Sequence, residues 1–419
     1  MNLSKKMKLS PAEENNTSAS KVLTNDGMLG EILERLHCPA NLIRAALTSR
    51  RWLHNATSQP TICGFRKRQS PHLLGIYVTT EGFCPPEFVP LPDPSCPEFQ
   101  AEIRHGNFGF DGTDALSLIV LWDSRSERVL YGFDESFHVS DIPSVRMPLR
   151  CPTEQTVVFP PPPPPPTAWP QSPHAMLLPD EHGDNTSCYR VDLFNNGHKI
   201  SARVLALRSG SWTTHCSAST NLSKPPVTIQ SMTLLMCGKI YMLAMAGYIL
   251  LLDLAASRFS TLDLPKGVEV ESDYPNLRNV ALCRGDSSAL YLIHVNGDKV
   301  TVWFQRMTDH DGAGSSSACG WSLRDTISLH EACDHIEDLA WELKDGLDDA
   351  VSVVGAADNA EFVFLEFLDS GVIVCIRADG KNAKVVYNRD PNNDFIIRVH
   401  PFMAVWPPIL AELVAAPAE

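Results

Sequence analysis

The chain has 419 residues, 44% of them hydrophobic and 20% charged, so it can hold two domains or one small module plus a large repeat domain. Its net charge of −14 is unevenly spread: residues 1–70 carry eleven Lys and Arg against five Asp and Glu, a balance of +6, which leaves −20 for the rest. An acidic body disfavours general nucleic-acid binding, which needs Lys and Arg to displace phosphate counterions, and weakly favours a basic target.

Residues 1–20 are polar, with no apolar run of signal-peptide type, and read as a disordered tail of an intracellular protein, cytoplasmic or nuclear. Two or three short helices follow. Met28, Leu29, Ile32, Leu33 and Leu36 recur at i, i+1, i+4, i+5, i+8, one apolar stripe, with Asn25 or Asp26 placed to cap it. Pro39 ends that helix and suits the first turn of the next, where Leu42, Ile43, Ala46 and Leu47 repeat the stripe. A third element carries Trp52 and Leu53 behind the basic pair Arg50-Arg51. Helices of about ten residues fall below the roughly 12–15 at which an isolated helix is even marginal, so something must cover their apolar sides.

The string Leu23, Glu31-Ile32-Leu33, Arg35-Leu36, Pro39, Leu42, Arg50-Arg51-Trp52 resembles an F-box over about 50 residues. Thr24 stands where that family usually has proline. The resemblance implies an F-box module over 21–65 whose Leu23, Leu29, Ile32, Leu33, Leu36, Pro39, Leu42 and Trp52 dock a Skp-family adaptor, and through it a cullin. The alternative is a stand-alone β-propeller interaction module whose helices are only a structural cap.

From residue 70 to 405 the signal is short strands and turns. The clearest group is Lys239–Leu243, Tyr248–Asp253 and Arg258–Leu262, starting eight to ten residues apart. Similar groups are 290–294, 300–304 and 321–324, then 362–365, 372–376 and 384–387. Earlier echoes lie at 116–122 with 129–133, and at 189–194 with 200–207 and Trp212. The longest apolar run, Ile240–Leu252, contains Gly247 and is too short for a membrane helix, so no membrane is expected. Groups starting near 189, 240 and 290 suggest blades of about 50 residues, hence six or seven blades. A pair of β-sandwiches is the other architecture of that size. Neither a Gly-His…Trp-Asp pattern nor a Gly-Gly doublet is present. In length and strand rhythm the region resembles the divergent, kelch-like F-box-associated propeller of plant, grass-type F-box proteins. The expected fold is thus α+β multidomain, a short all-α F-box followed by a mainly-β propeller and a tail at 406–419.

Two Pro-rich insertions interrupt the β region: six prolines within 85–97, and a stretch over 160–173 that opens with seven consecutive prolines, Pro160–Pro166. Seven residues of polyproline II span about 22 Å, expected here as an exposed loop that nothing binds, or else as a ligand for an aromatic groove. A helix-like acidic stretch is expected over 330–349.

No chemistry emerges from the remaining motifs. The twelve cysteines contain no C-x-x-C pair, which argues against a zinc ribbon or thioredoxin-like site and suggests reduced, buried thiols. His330, Cys333 and His335 match no zinc spacing, Gly312–Ser317 lacks the lysine of a phosphate loop, and no G-x-S-x-G elbow occurs. No catalytic residue, cofactor or metal is therefore expected. The family resemblance implies a non-catalytic substrate receptor of a Skp–cullin–F-box ubiquitin ligase, its propeller binding a protein target.

Overall fold

The computed structural model describes residues 25–404 apart from internal stretches, the longest being 92–99, 111–117, 165–171, 179–186, 308–319 and 340–350. Both expected tails, Leu23, Gly312–Ser317 and the second half of the acidic stretch lie outside the described residues. The chain divides into a helical unit through His72 and a β unit over Leu73–Ala404.

The helical unit contains α1 (Asp26–Glu34), α2 (Pro39–Ala46), α3 (Arg50–Ala56) and α4 (Gln59–Arg68). Asn25 caps α1 by accepting from the Gly27 and Met28 amides at 3.0 and 3.2 Å, and Ser49 caps α3 through the Trp52 amide at 3.3 Å. None of these helices is long enough to persist alone. They hold one another through a core of Leu29, Leu33, Leu42, Ala46, Ala56 and Phe65. The helix α4 was not anticipated, because 59–68 has no apolar period; among its described side chains, Phe65 enters that core. Close packing of α1 on α4 uses Gly30 and Gly64: a Cβ at Gly30 would stand 3.1 Å from Thr61 Oγ1, and one at Gly64 would strike the Glu34 carboxylate. Arg51 ties α3 back to the start of α1, donating from Nε to Asp26 at 2.8 Å.

The β unit is a six-bladed propeller. Blade 1 has inner strand Ile396–Ala404, then His72–Thr80 and Glu87–Pro90. Blade 2 runs outward through Leu118–Arg125, Arg128–Glu135, Ser144–Arg146 and Thr156–Val158, and blade 3 through Ser172–Leu177, Cys188–Asn195, Lys199–Arg208 and Ser211–Asn221. Blade 4 comprises Ile229–Met236, Lys239–Ala244, Tyr248–Asp253 and Arg258–Asp263. Blade 5 comprises Val280–Arg284, Ala289–Asn296, Lys299–Arg306 and Ser322–Ser328; blade 6, Val351–Ala356, Phe362–Phe367, Val372–Arg377 and Ala383–Asn388. Each inner strand touches the next around the ring, and the inner strand of blade 6 touches that of blade 1. The expected range of six or seven blades thus resolves to six.

Alternation along each strand explains why the sheets must stack. In blade 4, Ile240, Met242, Leu250 and Leu252 pack against blade 3, while Tyr241, Leu243 and Ile249 pack against blade 5. Burial on both faces accounts for the unbroken apolar run 240–252. Between blades 1 and 2 the filling is aromatic: Phe88 stacks on Phe108 at 3.9 Å, Phe402 meets both edge-on, and Phe110 meets Tyr131 at 5.1 Å.

Two expectations change. The helix expected over 330–349 is confined, among the described residues, to Leu329–Cys333 and a single turn at Glu337–Leu339. The polyproline run is not an unattached loop over its described part, 160–164. Trp212 Nε1 donates to the Pro160 carbonyl at 2.7 Å, and Arg203 donates to those of Pro163 and Pro164 at 3.1 and 3.0 Å. A proline segment has no N–H of its own to spend on a sheet, but its carbonyls remain strong acceptors. Blade 3 uses them as a strap. Arg203 is aimed by Asp192, whose fully buried carboxylate also takes Arg190 Nε at 2.8 Å. Asp192→Ala leaves two guanidinium groups without their shared counterion; a stability loss of about 3–5 kcal/mol is expected, measured by urea unfolding.

Candidate functional site

The apolar stripes of α1 and α2 are each divided between two tasks. On α1, Leu29 and Leu33 are fully buried in the helical core, whereas Met28 and Ile32, with Leu36 just past the helix end and partly packed on that core, keep accessible surface in a row at i, i+4, i+8. On α2, Leu42 and Ala46 point inward, while Ile43 is half-buried and Leu47 is 71% exposed. Met28 and Leu47 are two of the five large apolar side chains that stand exposed among the described residues. Trp52 is half-buried at the edge of the same core.

Of the eight residues expected at an adaptor face, Leu29, Leu33 and Leu42 therefore serve the unit's own core. Ile32, Leu36 and Trp52 retain accessible surface, and Pro39 opens α2. Leu23 lies outside the described residues. Met28, Ile43 and Leu47 complete the accessible set. The signal for them was already in the sequence: each sits one position from a core residue, on the flank of a stripe too wide for the core alone.

A second constellation lies at the centre of the propeller ring. Arg284 ends the inner strand of blade 5, three places around the ring from blade 2, and its guanidinium comes within 3.8 Å of Asp123 on the inner strand of blade 2. It also donates from Nε to Asp358, just after the inner strand of blade 6, at 3.1 Å. Asp123 spends its other oxygen on the Leu177 amide of blade 3 at 2.9 Å. One arginine thereby joins strands that stand on opposite sides of the ring. Burial opposes its charge, but Asp358 and Asp123 outweigh that and hold its pKa above the usual arginine value.

On the propeller exterior, a recess of about 490 Å³ is lined by Asp325, Ser328, Glu331, Asp334, His335 and Gly380. His335 is fastened through Nε2 to the Ala383 carbonyl at 2.9 Å, and Cys333 is buried in the core between blades 5 and 6. Among the described residues no group of three His, Cys, Asp or Glu side chains converges as a metal site would, and no helix is long and apolar enough to cross a membrane.

Residues 120–410 match the family described as F-box protein AT5G49610-like, beta-propeller. The chain belongs to that family. The match begins inside blade 2 and runs past blade 1's closing strand, so the family's defining region is the propeller. Similar folds occur in the nidogen/laminin complex, at 10% identity and TM-score 0.41 over 80% of this chain and 99% of that one. The Aleuria aurantia lectin is similar at 11% identity and TM-score 0.37 over 65% and 80%, and the GH93 α-L-arabinofuranosidase of Fusarium graminearum at 10% and 0.34 over 70% and 86%. No curated protein matches the sequence.

Within this family member, two histidines stand near the cross-ring arginines. Burial pushes His174 down to about 4, with a further contribution from Arg398, and the same two causes hold His400 well below its usual value. Both imidazoles are neutral in the folded protein at pH 6, whereas in the unfolded chain they take up protons from about pH 6.5 downward. Stability from His174 is thus complete above pH 6.5 and lost as pH falls towards 4, by about 3 kcal/mol in all. Urea midpoints measured between pH 7.5 and 4.5 should fall less steeply for His174→Gln than for wild type; equal slopes would contradict the assignment.

Proposed function

We propose that the protein is a substrate-receptor subunit of a Skp–cullin–F-box ubiquitin ligase, with the helical unit docking a Skp-family adaptor and the propeller binding a protein target. Membership of an F-box protein family supports the reading, and the divided stripes of α1 and α2 carry it. A cap built only to complete a fold has no use for accessible apolar side chains at Met28, Ile32 and Leu36, or for an exposed Leu47. Such side chains suit a partner that covers them, because each leucine-sized one removed from water contributes roughly 1.5–3 kcal/mol before association costs. The adaptor would bring a cullin, and the chain itself would act by raising the local concentration of the target's lysines, without a catalytic residue or cofactor. This role places the protein in the cytoplasm or nucleus.

The helical unit's separate core also favours this reading over the stand-alone propeller with a structural cap. Co-purification with a Skp-family adaptor tests it. Ile32→Asp and Leu47→Asp should each reduce captured adaptor at least tenfold while leaving stability within about 0.5 kcal/mol of wild type, as surface substitutions do. Leu33→Ala should instead cost about 2–5 kcal/mol of stability, from the cavity it leaves. Equal adaptor capture by wild type and Ile32→Asp, or none by either, would overturn the proposal.

A further inference from the structure

We propose that the polyproline run strapped across blades 2 and 3 is a ligand for a partner domain whose aromatic-lined groove reads PxxP segments. This role is separate from adaptor docking and does not depend on it. Proline fixes its own φ and pushes the residue before it out of the α region. Consecutive prolines are therefore held in polyproline II, with three residues per turn. Burial along the run has that period. Phe159 and Pro162 are buried, whereas Pro160, Pro161, Pro163 and Pro164 are exposed. One face of the three-sided rod is turned to the protein and two are turned to solvent.

The rod is fastened at both ends of its described part. Phe159 sits in the core between blades 2 and 3, and its amide donates to the Pro143 carbonyl at 3.0 Å. Further along, Trp212 and Arg203 hold the carbonyls of Pro160, Pro163 and Pro164, with Arg203 itself fixed by the buried carboxylate of Asp192. These hydrogen bonds are made to the backbone of the run. Every residue has a carbonyl, so the strap does not account for proline at all four exposed positions. Their rings are left on the surface.

The class of partner follows from how those rings are spaced. Pro160 with Pro163, and Pro161 with Pro164, form two PxxP pairs, each pair on one ridge with about 9 Å between its members. The ridge that the protein covers is the third one, so neither pair has to be released before a groove can take it. Val158, two residues ahead of the run, is 66% exposed. Five exposed apolar side chains within residues 158–164 of a chain of net charge −14 mark a contact surface rather than scatter. Because the strap orders the rod in advance, a partner loses little further freedom in gripping it.

Calorimetric titration of the full chain with a purified WW domain, chosen because it binds the free peptide 157–166, tests the proposal. The full chain should bind with a dissociation constant within about tenfold of the peptide's, and excess free peptide should displace it. Combining Pro160→Ala, Pro161→Ala, Pro163→Ala and Pro164→Ala keeps the carbonyls that Trp212 and Arg203 use. In that variant affinity should fall by about tenfold or more while the urea midpoint stays close to that of wild type. Trp212→Phe, which removes an anchor but no proline, should bind within about threefold of wild type. Three results would overturn the proposal. Full-chain binding weaker than this tenfold limit, or binding that appears only in Trp212→Phe, would mean that the blade conceals the run. Equal binding by the combined variant and wild type would mean that the groove reads another segment.

Discussion

The pairing of strand Ile396–Ala404 with His72–Thr80 is what turns six sheets into a ring. Each blade is apolar on both faces, and a row of such blades would end in two bare surfaces and an unpaired edge. By supplying the inner strand of blade 1 from the far end of the chain, the protein covers the last apolar face of blade 6 and the first of blade 2 in a single step. Ile396 and Val399 enter the core shared with blade 6, and Phe402 enters the aromatic cluster that adjoins blade 2. The fit is close: a side chain at Gly355, on the inner strand of blade 6, would collide with the Val399 carbonyl.

Ring closure also creates the electrostatic centre. Inner strands from all sides converge there, so residues far apart in sequence, such as Asp123 and Arg284, become an ion pair. Charge pairing across the ring adds a link between opposite blades that no neighbouring-blade contact supplies. Burial there keeps His174 and His400 neutral, so their protonation in acid opposes the fold.

Much of this was legible in the sequence, and unevenly so. The second, third and fourth strands of blades 4, 5 and 6 stand where alternation and turns put them: the strand Tyr248–Asp253 has the bounds read from the sequence alone, and no end of the others shifts by more than four residues. Among inner strands, Leu118–Arg125 was found and the other five were not. They are buried by neighbours on both faces, so they show no polar alternation, and several are short or broken in composition, as Val351–Ala356 is by Gly355. The helical stripes were visible, but their division between core and surface was not, because periodicity gives a face and not what covers it. Phe65 enters the helical core from a mostly polar helix whose sequence has no apolar period to announce it. The central arginines left no trace at all, since each is a single charge at a strand end and only ring closure brings them together. The polyproline run read as a free rod because its partners, Trp212 and Arg203, lie about 40–50 residues further on.

For the proposed receptor role, the architecture separates the two surfaces that a bridge between adaptor and target would need: a small helical unit with its own core, and a rigid ring whose loops can vary. The ring is the premise of the whole account. Urea unfolding of a chain ending at residue 395 tests it most directly. Without its closing strand the propeller is expected to lose its single cooperative transition and to unfold over a broad range at lower urea. A shortened chain that kept the wild-type midpoint and slope would contradict the closure on which everything else is built.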